Sequence, residues 1–523
     1  MKPLSPATRR HVLQAMTALA PLGVAAPFAL ELATMGSASA QVAGPAYRAL
    51  VCIFLFGGND TNNMVLATDT DSWGRYWSAR NTGQDPIALM PVGTAPAAVG
   101  SVSSVTGRTV SRQTPEFFGG VLPITPLTAN PIPAGTNATT RTFGVHPVLA
   151  PIFTDANNPW AANRLAVLAN VGPLIVPTTK AQYNARSVRL PFNLMSHNDQ
   201  QSTWMASAAE GARRGWGGMM ADTMLSGNGG NAIFTAISAA GNAVFLAGDT
   251  VVQYQVTTNA APAIRITSAT GSTLNGSSVA AARLRDIIRD GGAQSYQQQD
   301  HASVVRRSMD STDTLNNAFT AAAVTAIPAP PAFTNPITGT AETNQLGPQM
   351  QTIARLIAAA PALGITRQVF FVSLGGWDTH DTQNTTQPNL LAKVAQAMAY
   401  FDQTLGNIGG QNLRNAVTTF TMSDFSRTFT TNGDGTDHAW GSHQLIMGGA
   451  VRGRDMYGRY PTLGVDRTGF TNPDMSGNIM IPTTAVYQLA STLGRWFGVS
   501  DAQVATIFPN LTNFPTSNLG FMG

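Results

Sequence analysis

The chain has 523 residues, of which only 11% are charged, against about 25% in an average soluble protein. Its formal charge is +4, and Lys2, Arg9, Arg10 and Glu31 contribute half of that, so the rest is near neutral and the basic balance is no argument for nucleic acid as a partner. Cys52 is the only cysteine, which excludes an internal disulfide.

In chain order, the first predicted element is an export signal. Thr8-Arg9-Arg10-His11 places paired arginines just ahead of an apolar run over 15–30. Pro21, Gly23 and Pro27 interrupt that run, which is too short to span a bilayer comfortably. Ala38-Ser39-Ala40 offers a small-x-small cleavage site. Residues 1–40 therefore read as a twin-arginine signal, with a mature chain from Gln41. The twin-arginine translocase is the expected partner during export, and the periplasm or the exterior the destination. That route carries folded proteins, which raises the expectation of a metal or cofactor. Beyond the signal, no segment is long and apolar enough to span a membrane.

Residues 48–56 (RALVCIFLF) form a short continuous apolar run, the pattern of a strand buried on both faces. It stops at Gly57-Gly58-Asn59-Asp60, and Cys52 inside it reads as a small core hydrophobe. Three similar runs follow: 164–171, 367–374 and 416–422. The third of the four stops at Gly375-Gly376-Trp377-Asp378-Thr379-His380, the fourth at Ser423-Asp424-Phe425-Ser426-Arg427. Helical periodicity appears over 346–359, 389–405 and 484–497. Strands alternating with helices predict an α/β fold with a mostly parallel sheet flanked by helices.

Residues 227–345 differ, being rich in Ala, Thr, Ser, Asn and Gly. Strand-like pieces at 243–246, 250–256 and 263–267 precede helical stretches at 279–289 and around 304–322, then a Pro-rich connector at 326–336. This region reads as an insertion or cap subdomain within a single domain over 41–523. The stretch 94–140 reads as a long surface excursion.

Four histidines fall in three short windows: Ser196-His197-Asn198-Asp199, Trp377-Asp378-Thr379-His380 and Asp437-His438-Ala439-Trp440-Gly441-Ser442-His443. Imidazole and carboxylate together suit zinc, manganese or iron, and calcium where oxygens dominate. The candidate ligands are Asp60, His197, Asp199, Asp378, His380, Asp424, Asp437, His438 and His443. Several follow predicted strand ends, where open α/β sheets gather their ligands. Each window alone is weak, since Gly57-Gly58-Asn59-Asp60 could be only a tight turn. His146 reads as a structural histidine satisfied by a backbone carbonyl, and His301 as exposed.

The segments FLFGGNDTNNM, SHNDQQSTW, FVSLGGWDTHDTQN, FTMSDFSRT and DHAWGSHQLIMGGAVRG resemble the bacterial family called domain of unknown function 1501, from about Tyr47 onward. That family is placed in the alkaline phosphatase and sulfatase superfamily. The resemblance implies an alkaline-phosphatase-like fold and two divalent ions, with zinc, manganese and calcium as candidates. It implies ligands at Asp60, at Asp378 with His380 and at Asp424, completed by His438 and His443. Two features depart from the superfamily pattern: Asp424 is followed by Phe425, and the Asp-His pair comes at Asp437-His438 in the loop. The nearest match to its nucleophile is Ser196, with His197 beside it and a helical stretch after it.

Two readings lead, ahead of a third, a secreted structural protein with no metal, which fits the low charge but leaves the histidine and aspartate windows unexplained. In the first, a metal-dependent hydrolase acts on a small or polymeric phosphate or sulfate ester; Ser196 and His197 serve catalysis, and Arg427 either forks onto a tetrahedral anion or makes only a salt bridge or a helix-terminal contact. In the second, the chain is a non-catalytic, metal-stabilised binding or assembly protein of the cell envelope.

Overall fold

A computed structural model describes residues 47–132, 140–258, 273–274, 276–290 and 295–523. The twin-arginine segment and the strand-like piece at 263–267 lie outside them. Nine strands form the central sheet: β1 (Arg48–Leu55), β2 (Leu165–Gly172), β3 (Ala236–Ser238), β4 (Tyr254–Gln255), β5 (Arg367–Leu374), β6 (Val417–Ser423), β7 (Ser442–Met447), β8 (Asp455–Tyr457) and β9 (Thr484–Ala485). Their spatial order is β8-β2-β7-β6-β1-β5-β3-β4, with β9 beside β2. β7 is antiparallel to both of its neighbours, and the other pairings are parallel.

The helices used below are α1 (Thr70–Arg80), α2 (His197–Ala206), α3 (Ser278–Asp290), α4 (Tyr296–Ala318), α5 (Leu346–Leu363), α6 (Gln383–Leu405) and α7 (Val486–Phe497). Strand alternation separates two cores. Ala49, Val51, Ile53 and Leu55 of β1 pack on the face covered by α5 and α6, through residues such as Ile353 and Met398. Leu50, Cys52 and Phe54 pack on the other, with Leu489, Leu493 and Phe497 of α7. Both faces of β1 are thus buried, which is why its sequence is a continuous apolar run.

The four apolar runs are β1, β2, β5 and β6, each displaced from its predicted bounds by no more than a residue. β7 was not expected; Ser442–Met447 is a buried strand with His443 on it. α6 starts six residues before the predicted 389. Its first turns carry Gln383, Asn384 and Gln387, which are buried by hydrogen bonding and so leave no apolar periodicity to read. In the region 227–345, residues 236–238 and 254–255 extend the sheet itself as β3 and β4, while 244–246 is one 3₁₀ turn. α3 and α4 realise the two predicted helical stretches.

Register sets up the site. Leu55 stands opposite Leu374 of β5 and Ser423 of β6, so three adjacent parallel strands end level. The segments that leave them emerge side by side, about 5 Å apart. Gly57 and Gly58 make that crowding feasible. Both have positive φ (119° and 85°), and a Cβ would lie 2.5 Å from the Asp378 amide nitrogen or 2.4 Å from the Phe425 ring.

Candidate metal centre

Asp378 follows β5, Asp424 and Arg427 follow β6, and His438 lies in the loop before β7. His197 opens α2. One ligand atom each from His197, Asp378 and His438 lie within 4.8 Å of one another. His438 Nε2 is 3.2 Å from Asp378 Oδ1, and His197 Nε2 is 3.5 Å from Asp378 Oδ2. His380 Nε2 adds a fourth candidate ligand atom, 2.9 Å from His438 Nε2 and 3.2 Å from Asp378 Oδ1.

Hydrogen bonds on the far sides of the rings set which nitrogen carries a proton. His438 Nδ1–H donates to the Met195 carbonyl at 2.8 Å, so the neutral ring turns its Nε2 lone pair inward. Burial first, then Arg427 and His197, hold His438 below its usual pKa and so keep it neutral. His380 Nδ1 faces Asp437 Oδ1 at 3.1 Å, which leaves its Nε2 as a lone pair too. Two imidazole lone pairs and a carboxylate oxygen thus crowd within about 3 Å, a spacing that a bound cation relieves. Asp378 stays ionised: burial raises its pKa, but Arg427, His197 and His380 outweigh that and lower it. His197 is raised above its usual value, chiefly by the 2.7 Å bond from Nδ1 to Asp424 Oδ2 and against burial. Asp424 is fully buried and also accepts from Gln201 Nε2 at 2.8 Å, while its Oδ1 has no hydrogen-bond partner. An orphaned carboxylate oxygen beside inward-facing imidazoles fits a metal site.

The remaining predicted residues stand as follows. Asp60 follows β1 as expected, but its carboxylate is taken by Arg80 from the end of α1, by Gln383 Nε2 at 2.6 Å and by the Asn62 amide at 3.1 Å. It stands outside the triad. His443 is buried within β7, stacks on Tyr460 and accepts the Asn170 amide at Nδ1, with burial pushing it down to about 3. A strand interior puts this predicted ligand in the core and outside the triad. The Asp199 carboxylate accepts from Asn193 and the Glu210 amide, and it too lies outside the triad. Its pKa is raised by burial and lowered more by those bonds and by Ser196. Ser196 is the N-cap residue of α2 without a capping bond to the helix backbone. His146 is buried and structural, but it accepts the Val148 amide rather than meeting a carbonyl; His301 is exposed.

Arg427 is fully buried. Nε donates to Gly58 O at 3.0 Å, Nη1 to Thr436 O at 3.2 Å, and Nη2 to Trp377 O at 3.2 Å and to Asp378 Oδ1. It therefore ties together the segments after β1, β5 and β6 and the loop that carries His438. Sequence reasoning missed Gln201, Gln383, Arg80 and the Met195 carbonyl. Only Gln201 carried a signal, four residues after His197 and so on the same helix face.

These observations define an α/β protein with a mixed, mostly parallel sheet and a candidate three-residue metal site at the carboxyl ends of its central strands. The chain belongs to the family described as "Protein of unknown function (DUF1501)", whose model matches residues 47–508, in agreement with the resemblance drawn from its motifs. No curated protein matches it. No helix among the described residues is long and apolar enough to cross a membrane.

Proposed function

We propose that this is an exported metal-dependent hydrolase of phosphate or sulfate esters, with an alkaline-phosphatase-like fold. The observation that carries the reading is the convergence of His197, Asp378 and His438 on one point. The chemistry an ion supplies in such a site is polarisation of an ester oxygen and stabilisation of the oxygen that leaves. His197, Asp378 and His438 would hold it, and a set rich in nitrogen suits zinc or manganese better than calcium. His380, Asp424 and Asp437 are the groups from which the shell of a second ion would be drawn. Ser196, next to His197 at the start of α2, is the proposed nucleophile. Export follows the twin-arginine route to the periplasm or beyond, and replacing Arg9 and Arg10 with lysine should leave precursor in the cytoplasm.

Elemental analysis of protein from the cell envelope, followed by aryl phosphate and sulfate ester assays, tests the proposal. Bound divalent metal with turnover supports it. A metal-free native protein removes it. One observation favours a second reading, a metal-stabilised binding protein of the envelope: Arg427 spends its donors on carbonyls and Asp378, leaving no free fork for a tetrahedral anion. Full metal occupancy with no turnover of any ester would favour that reading.

A further inference from the structure

The formal charges around the site are unbalanced. Arg427 is the guanidinium that acts on Asp378, His197 and His438, and all three of its nitrogens already donate. Arg80, the nearby buried arginine, is spent likewise on Asp60, Asn63 and the carbonyls of Thr428 and Phe429. Arg80 has no donor left, and the one remaining N–H of Arg427, on Nη1, faces His380 Nε2 at 3.5 Å, so neither offers an incoming anion the paired donors of a fork. Against them stand the half-exposed carboxylates of Asp378 and Asp437 and the buried one of Asp424. Three carboxylates face one guanidinium, and the one divalent ion that the His197–Asp378–His438 site would hold, with His197 a neutral ligand, brings the formal sum only to neutrality; the preference inferred below is that of the singly loaded site.

Resting on the hydrolase reading, we infer that the site takes esters with a single negative charge, phosphodiesters or sulfate monoesters, and discriminates against dianionic phosphate monoesters. A dianion brings twice the charge toward Asp378 and Asp437 with no free cationic side chain to meet it. In net terms, with any bond to Ser196 Oγ formed and then broken along the way, hydrolysis of a phosphodiester joins one water oxygen to phosphorus. The bond to the leaving oxygen breaks with its electron pair, and a proton from water ends on that oxygen. The product monoester has a second ionisation near pH 6, so at neutral pH it is mostly the dianion that the site holds less well. Reaction then stops after one ester bond, and a phosphomonoesterase reaction must consume the product.

The test uses the mature chain loaded with one manganese ion per chain, checked by elemental analysis. The kcat/KM values for bis(4-nitrophenyl) phosphate and 4-nitrophenyl sulfate are compared with that for 4-nitrophenyl phosphate, and calorimetry compares dimethyl phosphate with methyl phosphate. The monoanions should win both comparisons by about tenfold or more. Asp437→Asn, which removes one rim charge and keeps an acceptor, should narrow both ratios. Equal or better handling of the dianions, or ratios unmoved by Asp437→Asn, overturns the inference. Absence of turnover with every ester sinks the hydrolase reading instead, while the calorimetric ratio still decides the charge preference.

Discussion

Asp60→Asn separates a structural carboxylate from a metal ligand. The side chains of Asp60 and Arg80 are both fully buried, so solvent does not screen their pairing. Arg80 is held in place by Phe429 O and Thr428 O at 2.8 Å each and by Asn63 Oδ1 at 2.8 Å. It cannot swing out to water when its counter-charge is removed. Breaking one side of such a buried pair costs roughly 3–5 kcal/mol, because the surviving charge is left uncompensated. Asparagine keeps an oxygen for the Asn62 amide and for one arginine contact, so a loss of about 3 kcal/mol is expected. Urea unfolding monitored by tryptophan fluorescence should show a lower midpoint with an unchanged slope. Metal content per folded chain should equal that of the parent. Adding Arg80→Met should recover part of the loss, since the double variant buries no lone charge. Undiminished stability with lost metal would refute the reasoning and make Asp60 a ligand.

His438→Ala removes an inward lone pair, and Asp378→Asn removes the charge between the imidazoles; each should weaken metal binding by about 100-fold or more in chelator competition, with retained affinity counting against the triad. Metal affinity should also fall with acid, because binding displaces the proton that the raised pKa of His197 retains. The loss should approach tenfold per pH unit below that value and flatten above it, and a pH-independent affinity would exclude His197 from the shell. His146 makes a separate claim about stability. Burial lowers its folded-state pKa to about 3, against about 6.5 when unfolded, so the unfolded chain binds the proton first as pH falls. Its contribution to stability is whole above about pH 6.5 and is lost downward at on the order of 1 kcal/mol per unit. His146→Gln, which keeps an acceptor for the Val148 amide, should flatten that part of the acid limb in urea titrations; an unchanged slope would contradict the burial argument.

Four strands of the central sheet, β1, β2, β5 and β6, were legible because they are buried on both faces. Continuous apolar runs such as 48–56 follow directly from that burial, and the polar turns after them mark the strand ends where Asp378, His380 and Asp424 stand. The histidine windows were legible for a related reason, since clustered ligand-type side chains are conspicuous in a chain so poor in charge. Which of those residues meet depends on strand order and register, which no local pattern carries. β6, β1 and β5 are neighbours ending level, although Ser423 at the end of β6 lies 368 positions beyond Leu55 at the end of β1. That juxtaposition brings His197, Asp378 and His438 together. The same long-range packing gives Asp60 to Arg80 and places His443 in a buried strand that only β2 and β6 define. Local sequence determined the residue types and the strands, because burial and turn chemistry act over a few positions. Tertiary structure alone decided which carboxylates carry a partner and which face the open site, because a charge's role is set by the groups around it in space.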